Sequence, residues 1–353
     1  MVLNTLELRD FRCYKAAAFN FCAENNIIHG ENGAGKTSLL EAVYYMSSAR
    51  SFRRAPDIEL IKRGKDAAHI TARYERNGVA GELKAIISRK KKRELYYGGA
   101  PLPSPRRLLG ILPCVLFSPE DLSLIYGGPG ERRRYLDIML SQTEPGYVAA
   151  LSKYNKLTAE KTAALKRAAV RPEYISVLPE YNAQLAEYGS VVSSHRLRAA
   201  ERLAPLLKSQ YAFMCGGPEP DVRFHTHAAE RDRAMRLMDE KRGAEIARGQ
   251  CLVGCHKDDM EISVGKAPLR DFGSRGQCRA AAIAMKMAQR DIFREEMGAE
   301  PLLLLDDAHA ELDKARREKL FAKIEGCQLI ITTCEPDSLR YISGNTILLG
   351  KEE

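Results

Sequence analysis

The stretch Gly30-Glu31-Asn32-Gly33-Ala34-Gly35-Lys36-Thr37 constrains the fold more than any other part of the chain, because it fills every position of the pattern G-x-x-x-x-G-K-[ST]. A loop of this kind works only between a strand and a helix. The flanks supply that context: "NNIIHG" has strand length, and after Ser38 the apolar residues Leu39, Leu40, Val43 and Tyr44 recur at helical spacing. The glycines let backbone N–H groups curl around a β-phosphate, and the helix opening at Gly35 offers its positive end. Lys36 neutralises the β and γ oxygens, and Thr37 supplies a hydroxyl to Mg²⁺. Residues 30–38 are therefore predicted to hold ATP, in a chain of the α/β class.

A phosphate loop hydrolyses nothing unless one carboxylate holds the metal and another orients water. "PLLLLDD" reads as a buried strand whose exposed end carries both, Asp306 for Mg²⁺ and Asp307 for the water. Aspartate in the second position is one methylene shorter than glutamate, so slow hydrolysis is expected. Upstream, "DFGSRGQCRAAAIAMKMAQ" sets Ser274 at an N-cap and opens a long helix with Gly276 and Gln277, so that its positive end points outward. A capped helix is the plain reading. The sharper one is an ABC-type signature motif, whose serine and glycine amides complete the γ-phosphate site of a second subunit. The order of Walker A, signature and Walker B, with "AELD" next where a D-loop belongs, favours the sharper reading.

Around these motifs, alternating residues at the N-terminus predict strands, and residues 67–99 predict a three-run antiparallel meander. Residues 130–248 are strongly helical, with Pro172, Pro179, Pro205 and the run at 216–220 as breaks, too interrupted for a long coiled coil. "DDMEISVGKAPLRDF" predicts a hairpin, and "CQLIITTCE" a last buried strand. The expected organisation is an ATP-binding lobe from residues 1–120 and 295–353, with a mostly helical lobe at 121–294 that includes the signature motif.

The 353 residues carry a formal charge of +9, clustered in "RKKKRE" and "ERRR", which favours a polyanionic partner. There is no run of about eighteen apolar residues and no apolar block at the N-terminus, so a cytosolic protein with no membrane partner is expected. Nine cysteines are spread singly. Cys251, Cys255 and His256 come closest to a metal cluster but read as packing, and "HTH" at 225–227 reads as a loop.

The chain resembles the RecF family, the ABC-type recombination-mediator ATPases of bacteria. The stretches that carry this are "LELRDFRCY", "GENGAGKTSLLEAVYYMSSARSFR", "FSPEDLSLIYGGPGERRRYLDIMLSQ", "LVGCHKDD", "GSRGQCRAAAIAMKMA" and "LLLLDDAHAELD", with "GGPGERRRYLD" the most diagnostic. The resemblance implies an SMC-like head without the long coiled coil. It also implies weak DNA-stimulated ATPase activity and an ATP-dependent head-to-tail homodimer, with Lys36 and Asp306 of one subunit facing Ser274 of the other. Such a dimer would clamp duplex DNA at single-strand gaps and junctions in repair and replication, and assist RecA loading with RecO and RecR. Arg132, Arg133 and Arg134, spaced to reach either phosphate or the facing lobe, and Lys90, Lys91 and Lys92 are the candidate DNA contacts. The chain departs from the family pattern at four places. Glu120 or Asp121 stands for the Q-loop glutamine, Cys255 for a proline, His309 and Ala310 follow Walker B, and Thr332 or Thr333 stands for the switch histidine. Two rivals share the motifs: the ATPase subunit of a membrane transporter, and a scaffold whose nucleotide never turns over.

Overall fold

The four leucines at 302–305 are all fully buried, which a strand achieves only in a sheet covered on both faces. A computed structural model describes the chain except residues 217, 266, 308–311, 336–338, 340–341 and 351–353. In chain order its elements begin with β1 (Val2–Phe11), β2 (Tyr14–Asn20), β3 (Asn25–Gly30), α1 (Lys36–Ser48), β4 (Ala67–Arg76), β5 (Val79–Ser88), β6 (Glu94–Tyr97), β7 (Ala100–Pro101) and β8 (Cys114–Phe117). They continue with α2 (Ser123–Tyr126), α3 (Pro129–Thr143), α4 (Tyr147–Ala168), α5 (Leu178–Cys215), β9 (Pro220–His225), α6 (Arg231–Glu240) and α7 (Arg242–Arg248). The last are β10 (Asp259–Val264), β11 (Ala267–Pro268), α8 (Leu269–Phe272), α9 (Arg275–Met297), β12 (Leu302–Asp306), α10 (Lys314–Lys323), β13 (Leu329–Thr333) and β14 (Asn345–Leu349).

The chain divides into two compact units. The first comprises Met1–Asp121, Phe213–Cys215 and Lys286–Glu353; the second, Leu122–Ala212 and Gly216–Met285. The second boundary thus falls inside α9, earlier than the expected 294, because the C-terminal half of that helix is tied to the first unit. There Arg290 forks onto Glu300 at 2.9 and 2.8 Å, and Arg76 Nη2 donates to the Met297 carbonyl at 2.9 Å.

In the first unit, β14-β3-β13-β12-β8 form a parallel sheet and β2-β1-β4-β5-β6-β7 an antiparallel one. Helix α1 is buried on nearly every side. Its Leu39, Leu40 and Val43 share one core with Leu6 and Ile70 of the antiparallel sheet and with Leu304 and Ile330 of the parallel one. The meander at 67–99 is β4–β6, in register from Ala67↔Ser88 to Arg76↔Val79. Strand β14, absent from the sequence reading, pairs in parallel with β3.

The second unit carries helices α2–α8, the start of α9, and a β11-β10-β9 sheet. Strand β9 lies within the stretch read as helical. Pro205 does not break its helix: α5 runs 38 residues through it. The carbonyl that loses its amide partner belongs to Glu201, and both residues lie exposed, where water can satisfy it. Inside this unit Arg196, 2% exposed, donates to Asp137, Asp258, Tyr147 and the Cys255 carbonyl, and so joins α3, α4 and α5 to the segment before β10. The buried pair Lys161–Glu245, at 2.6 Å, joins α4 to α7. Both ring nitrogens of His256 are engaged, with Tyr154 Oη at 2.6 Å and the Cys251 carbonyl at 3.1 Å.

Candidate nucleotide site

In open parallel sheets, ligands gather where the strands end at their carboxyl edge. Here β3 ends at Gly30, β12 at Asp306 and β13 at Thr333, side by side. The loop from Gly30 into α1 needs glycine at Gly35, which has φ 98° and where a Cβ would lie 2.7 Å from Cys13 Sγ. Lys36, buried, folds back and donates from Nζ to the carbonyls of Gly30 (2.7 Å) and Glu31 (3.0 Å). Its charge is thus held within the loop that would receive the phosphates.

Thr37 Oγ1 donates to Asp306 Oδ1 at 3.0 Å, so the two residues expected to share a Mg²⁺ do meet. Thr332 Oγ1 reaches the same oxygen at 2.9 Å. The donor set fits: Mg²⁺ is usually held by one or two protein oxygens, with substrate phosphates and water supplying the rest. Burial pushes the Asp306 carboxyl up, against the hydrogen bonds from Thr332 and Thr37 and the charges of Arg53 and Lys36. Asp307 is likewise raised, by burial and then by the Asp306 charge. A cation held at Asp306 would relieve both. Arg53, exposed and beyond α1, lies close enough for its charge to act on Asp306, a neighbour that no sequence motif marked.

Beside Ser38, in the first turn of α1, opens a cavity of about 490 Å³ lined by Arg12, Cys13, Ile58, Glu59, Ile61, Arg63 and Arg89. Arg12 is fixed there by a fork onto Glu41 of α1 at 2.7 and 2.8 Å. Asn32 accepts from the Cys334 thiol at 2.9 Å.

In the second unit, Ser274 and Gln277 form a reciprocal capping box. The Ser274 N–H donates to Gln277 Oε1 at 2.8 Å, and the Gln277 N–H to Ser274 Oγ at 3.2 Å. Ser274 is exposed and Gly276 half-buried, and the serine hydroxyl keeps its own proton to donate. Residues 308–311, which include His309, Ala310 and the first two residues of the expected D-loop, lie outside the described residues.

Residues 2–348 match the RecF/RecN/SMC N terminal domain. The DNA replication and repair protein RecF of Gloeobacter violaceus is 37% identical over 344 residues, covering 94% of this chain and 92% of the relative. That of Nostoc punctiforme is 35% identical over 366 residues, covering 99% and 98%. The chain belongs to the RecF family. A solved structure described as the recombination mediator protein RecF-ATPrS in the RecFOR pathway superimposes with TM-score 0.93 at 27% identity, covering 99% of this chain and 98% of that one. An Smc head domain from Pyrococcus furiosus, 17% identical, matches at TM-score 0.58 and shares the fold. The fold is that of an ABC-type, SMC-like P-loop ATPase head with a helical unit inserted.

Among the RecF-type blocks, the basic turn is where the structure corrects the sequence reading. Arg132 is not a free phosphate contact: it is buried, forked onto Asp259 at 2.7 and 3.0 Å, with a third bond to the Gly127 carbonyl at 2.7 Å. Burial alone would raise the Asp259 carboxyl, but the Arg132 hydrogen bond and charge outweigh it and hold it low. Arg133 donates to the Asp258 carbonyl at 2.7 Å, and Arg134 is half-buried. Lys90, Lys91 and Lys92 are exposed between β5 and β6, Lys90 beside Asp66 at 3.0 Å. Asp121, a candidate for the Q-loop role, accepts from the Ser118 N–H at 2.8 Å within its own turn, and Glu120 is exposed.

The raised Asp307 carboxyl has a thermodynamic sign. A carboxyl lifted above its ordinary value of about 3.9 favours folding in acid, and that contribution is lost as pH rises through the lifted value. At neutral pH, ionised Asp307 therefore costs stability. Asp307→Asn is expected to raise the thermal midpoint of the nucleotide- and Mg²⁺-free protein at pH 7, with the gain shrinking as pH falls toward 4, while any ATP turnover drops by roughly 10²-fold or more. A lower midpoint at pH 7 would contradict the assignment.

Proposed function

We propose that this chain is an ATP-dependent DNA-binding protein of recombinational repair and replication, acting in the RecFOR pathway with partners of the RecO and RecR kind and assisting RecA. One observation carries the nucleotide half of this reading: Thr37, at the end of the phosphate loop, and Thr332 of β13 both reach one carboxylate oxygen of Asp306. The loop would receive the phosphates of ATP, and the cavity beside Ser38 is open to the nucleoside. Thr37 and Asp306 would hold Mg²⁺, whose charge would offset that of the triphosphate. Asp307 orients the attacking water, and its short side chain makes turnover slow.

The DNA half rests on the family and on charge. ATP joins two subunits head to tail, with the exposed Ser274 and the amides after it capping the γ-phosphate of the partner's nucleotide. Phosphate contacts from exposed lysines such as Lys90, Lys91 and Lys92 then hold duplex DNA next to single-strand gaps without reading bases, so binding weakens steeply with salt.

Sedimentation without nucleotide, with ADP and with ATP, each with and without gapped duplex, tests this reading. ATP is expected to produce a dimer that Ser274→Arg abolishes while leaving ATP affinity within about threefold of wild type. The capping box predicts a further detail: Ser274→Ala loses helix stability by about 1 kcal/mol as well as the dimer. A protein that binds ATP yet stays monomeric under every condition would reduce the motif at Ser274 to a capped helix and end the clamp reading.

A further inference from the structure

Asp307 has φ 51°, a left-handed backbone that costs a non-glycine residue energy and persists only where neighbours hold it. Its N–H is held by Thr332 Oγ1 at 3.2 Å. The same hydroxyl lies 2.9 Å from Asp306 Oδ1 and 3.3 Å from the Leu305 carbonyl. It has one proton to give, and the shorter, charge-assisted contact to Asp306 is the stronger claim on it. Thr332 is fully buried, so no bulk water can replace either bond. Register explains the convergence: Thr332 pairs directly with Asp306 across β13 and β12. The neighbouring Thr333 is spent on its own turn, accepting from the Glu335 N–H at 3.0 Å.

We infer that Thr332 is the positioning residue of the Walker B pair: by donating to Asp306 and accepting from Asp307 it fixes both the metal-binding carboxylate and the left-handed turn that aims the second one. The side chain is fully buried, with its hydroxyl against Asp306 Oδ1, the Asp307 N–H and the Leu305 carbonyl. Its loss acts through the two aspartates, while Lys36 and the loop around the phosphates stay intact.

This inference rests on the reading of the site as one for Mg²⁺ and ATP, and the experiment separates the two. ATP binding is titrated against Mg²⁺ with a fluorescent ATP analogue, and steady-state turnover is followed with gapped DNA, for wild type, Thr332→Val and Thr332→Ser. Thr332→Val keeps the shape and removes the hydroxyl. It is expected to raise the Mg²⁺ concentration for half-saturation about tenfold and to lower kcat roughly 10- to 100-fold, with KM for ATP within about threefold; Thr332→Ser restores both. Equal loss of kcat and ATP affinity, or no rescue by serine, would make Thr332 merely structural and overturn the inference, as would wild-type Mg²⁺ half-saturation in Thr332→Val. If wild type itself shows no turnover, the hydrolytic reading fails while the Mg²⁺ titration still decides the role of Thr332. Should Thr332→Val not fold, Thr332→Ala, which adds no bulk, serves in both assays.

Discussion

Lys36→Ala is expected to weaken ATP binding about a hundredfold. The ammonium donates to two carbonyls of its own loop at 2.7 and 3.0 Å, and a bound triphosphate would replace these with charge-assisted bonds worth about 1.5–3 kcal/mol each. Losing two such bonds costs about 3 kcal/mol or more, which is roughly two decades in affinity. Equilibrium titration with a fluorescent ATP analogue measures it directly. Lys36→Arg separates charge from shape: a guanidinium keeps the charge but is too broad for a pocket in which the lysine is buried. An alanine variant binding within threefold of wild type would move the phosphate site elsewhere.

Arg196→Ala is expected to cost the helical unit about 3–5 kcal/mol, because it leaves Asp258 a buried, uncompensated charge. Asp258 is fully buried, and burial already pushes its carboxyl up, against hydrogen bonds from Thr226 and Ser193 and the Arg196 charge. Arg196 reaches it at 3.0 Å and Asp137 at 2.8 Å. Denaturant unfolding should show an early transition in the variant, with ATP affinity near wild type because the phosphate loop belongs to the other unit. Arg196→Lys, which keeps the charge but not the fork, should fall between. A variant as stable as wild type would mean that Asp258 is protonated and needs no counter-charge.

How much of this was legible from the sequence depended on how local the signal was. The phosphate loop, the buried β12 and the capped α9 were plain, because glycine spacing, an unbroken leucine run and a serine three residues before a glutamine each fix local geometry. The meander was plain for the same reason. Pro205 misled because a proline's cost depends on which side of the helix loses the bond, and exposure is a property of the fold. Arg132 misled because a basic turn looks the same whether it faces DNA or, as here, a carboxylate 127 residues away. Arg53 gave no signal, since only the folded chain carries it near Asp306. Thr332 was half legible: its place near the end of the last strand read was visible as a choice between two threonines, and only register decided between them. Strand β14 pairs with β3 across more than three hundred residues, and nothing local marks such a partnership.

That last pairing bears on how the protein comes into being. Strand β3, which leads into the phosphate loop, sits between β13 and β14, so both of its hydrogen-bonding edges wait for segments made roughly 300 residues later. At ~5–20 residues per second the ribosome needs about 15–60 s to supply them. Throughout that interval a strand with two open edges is presented to the cell, where a chaperone or another nascent chain can take it. Unfinished chains consequently have a glycine loop with no sheet to hold it, and nucleotide capture belongs to the finished molecule alone.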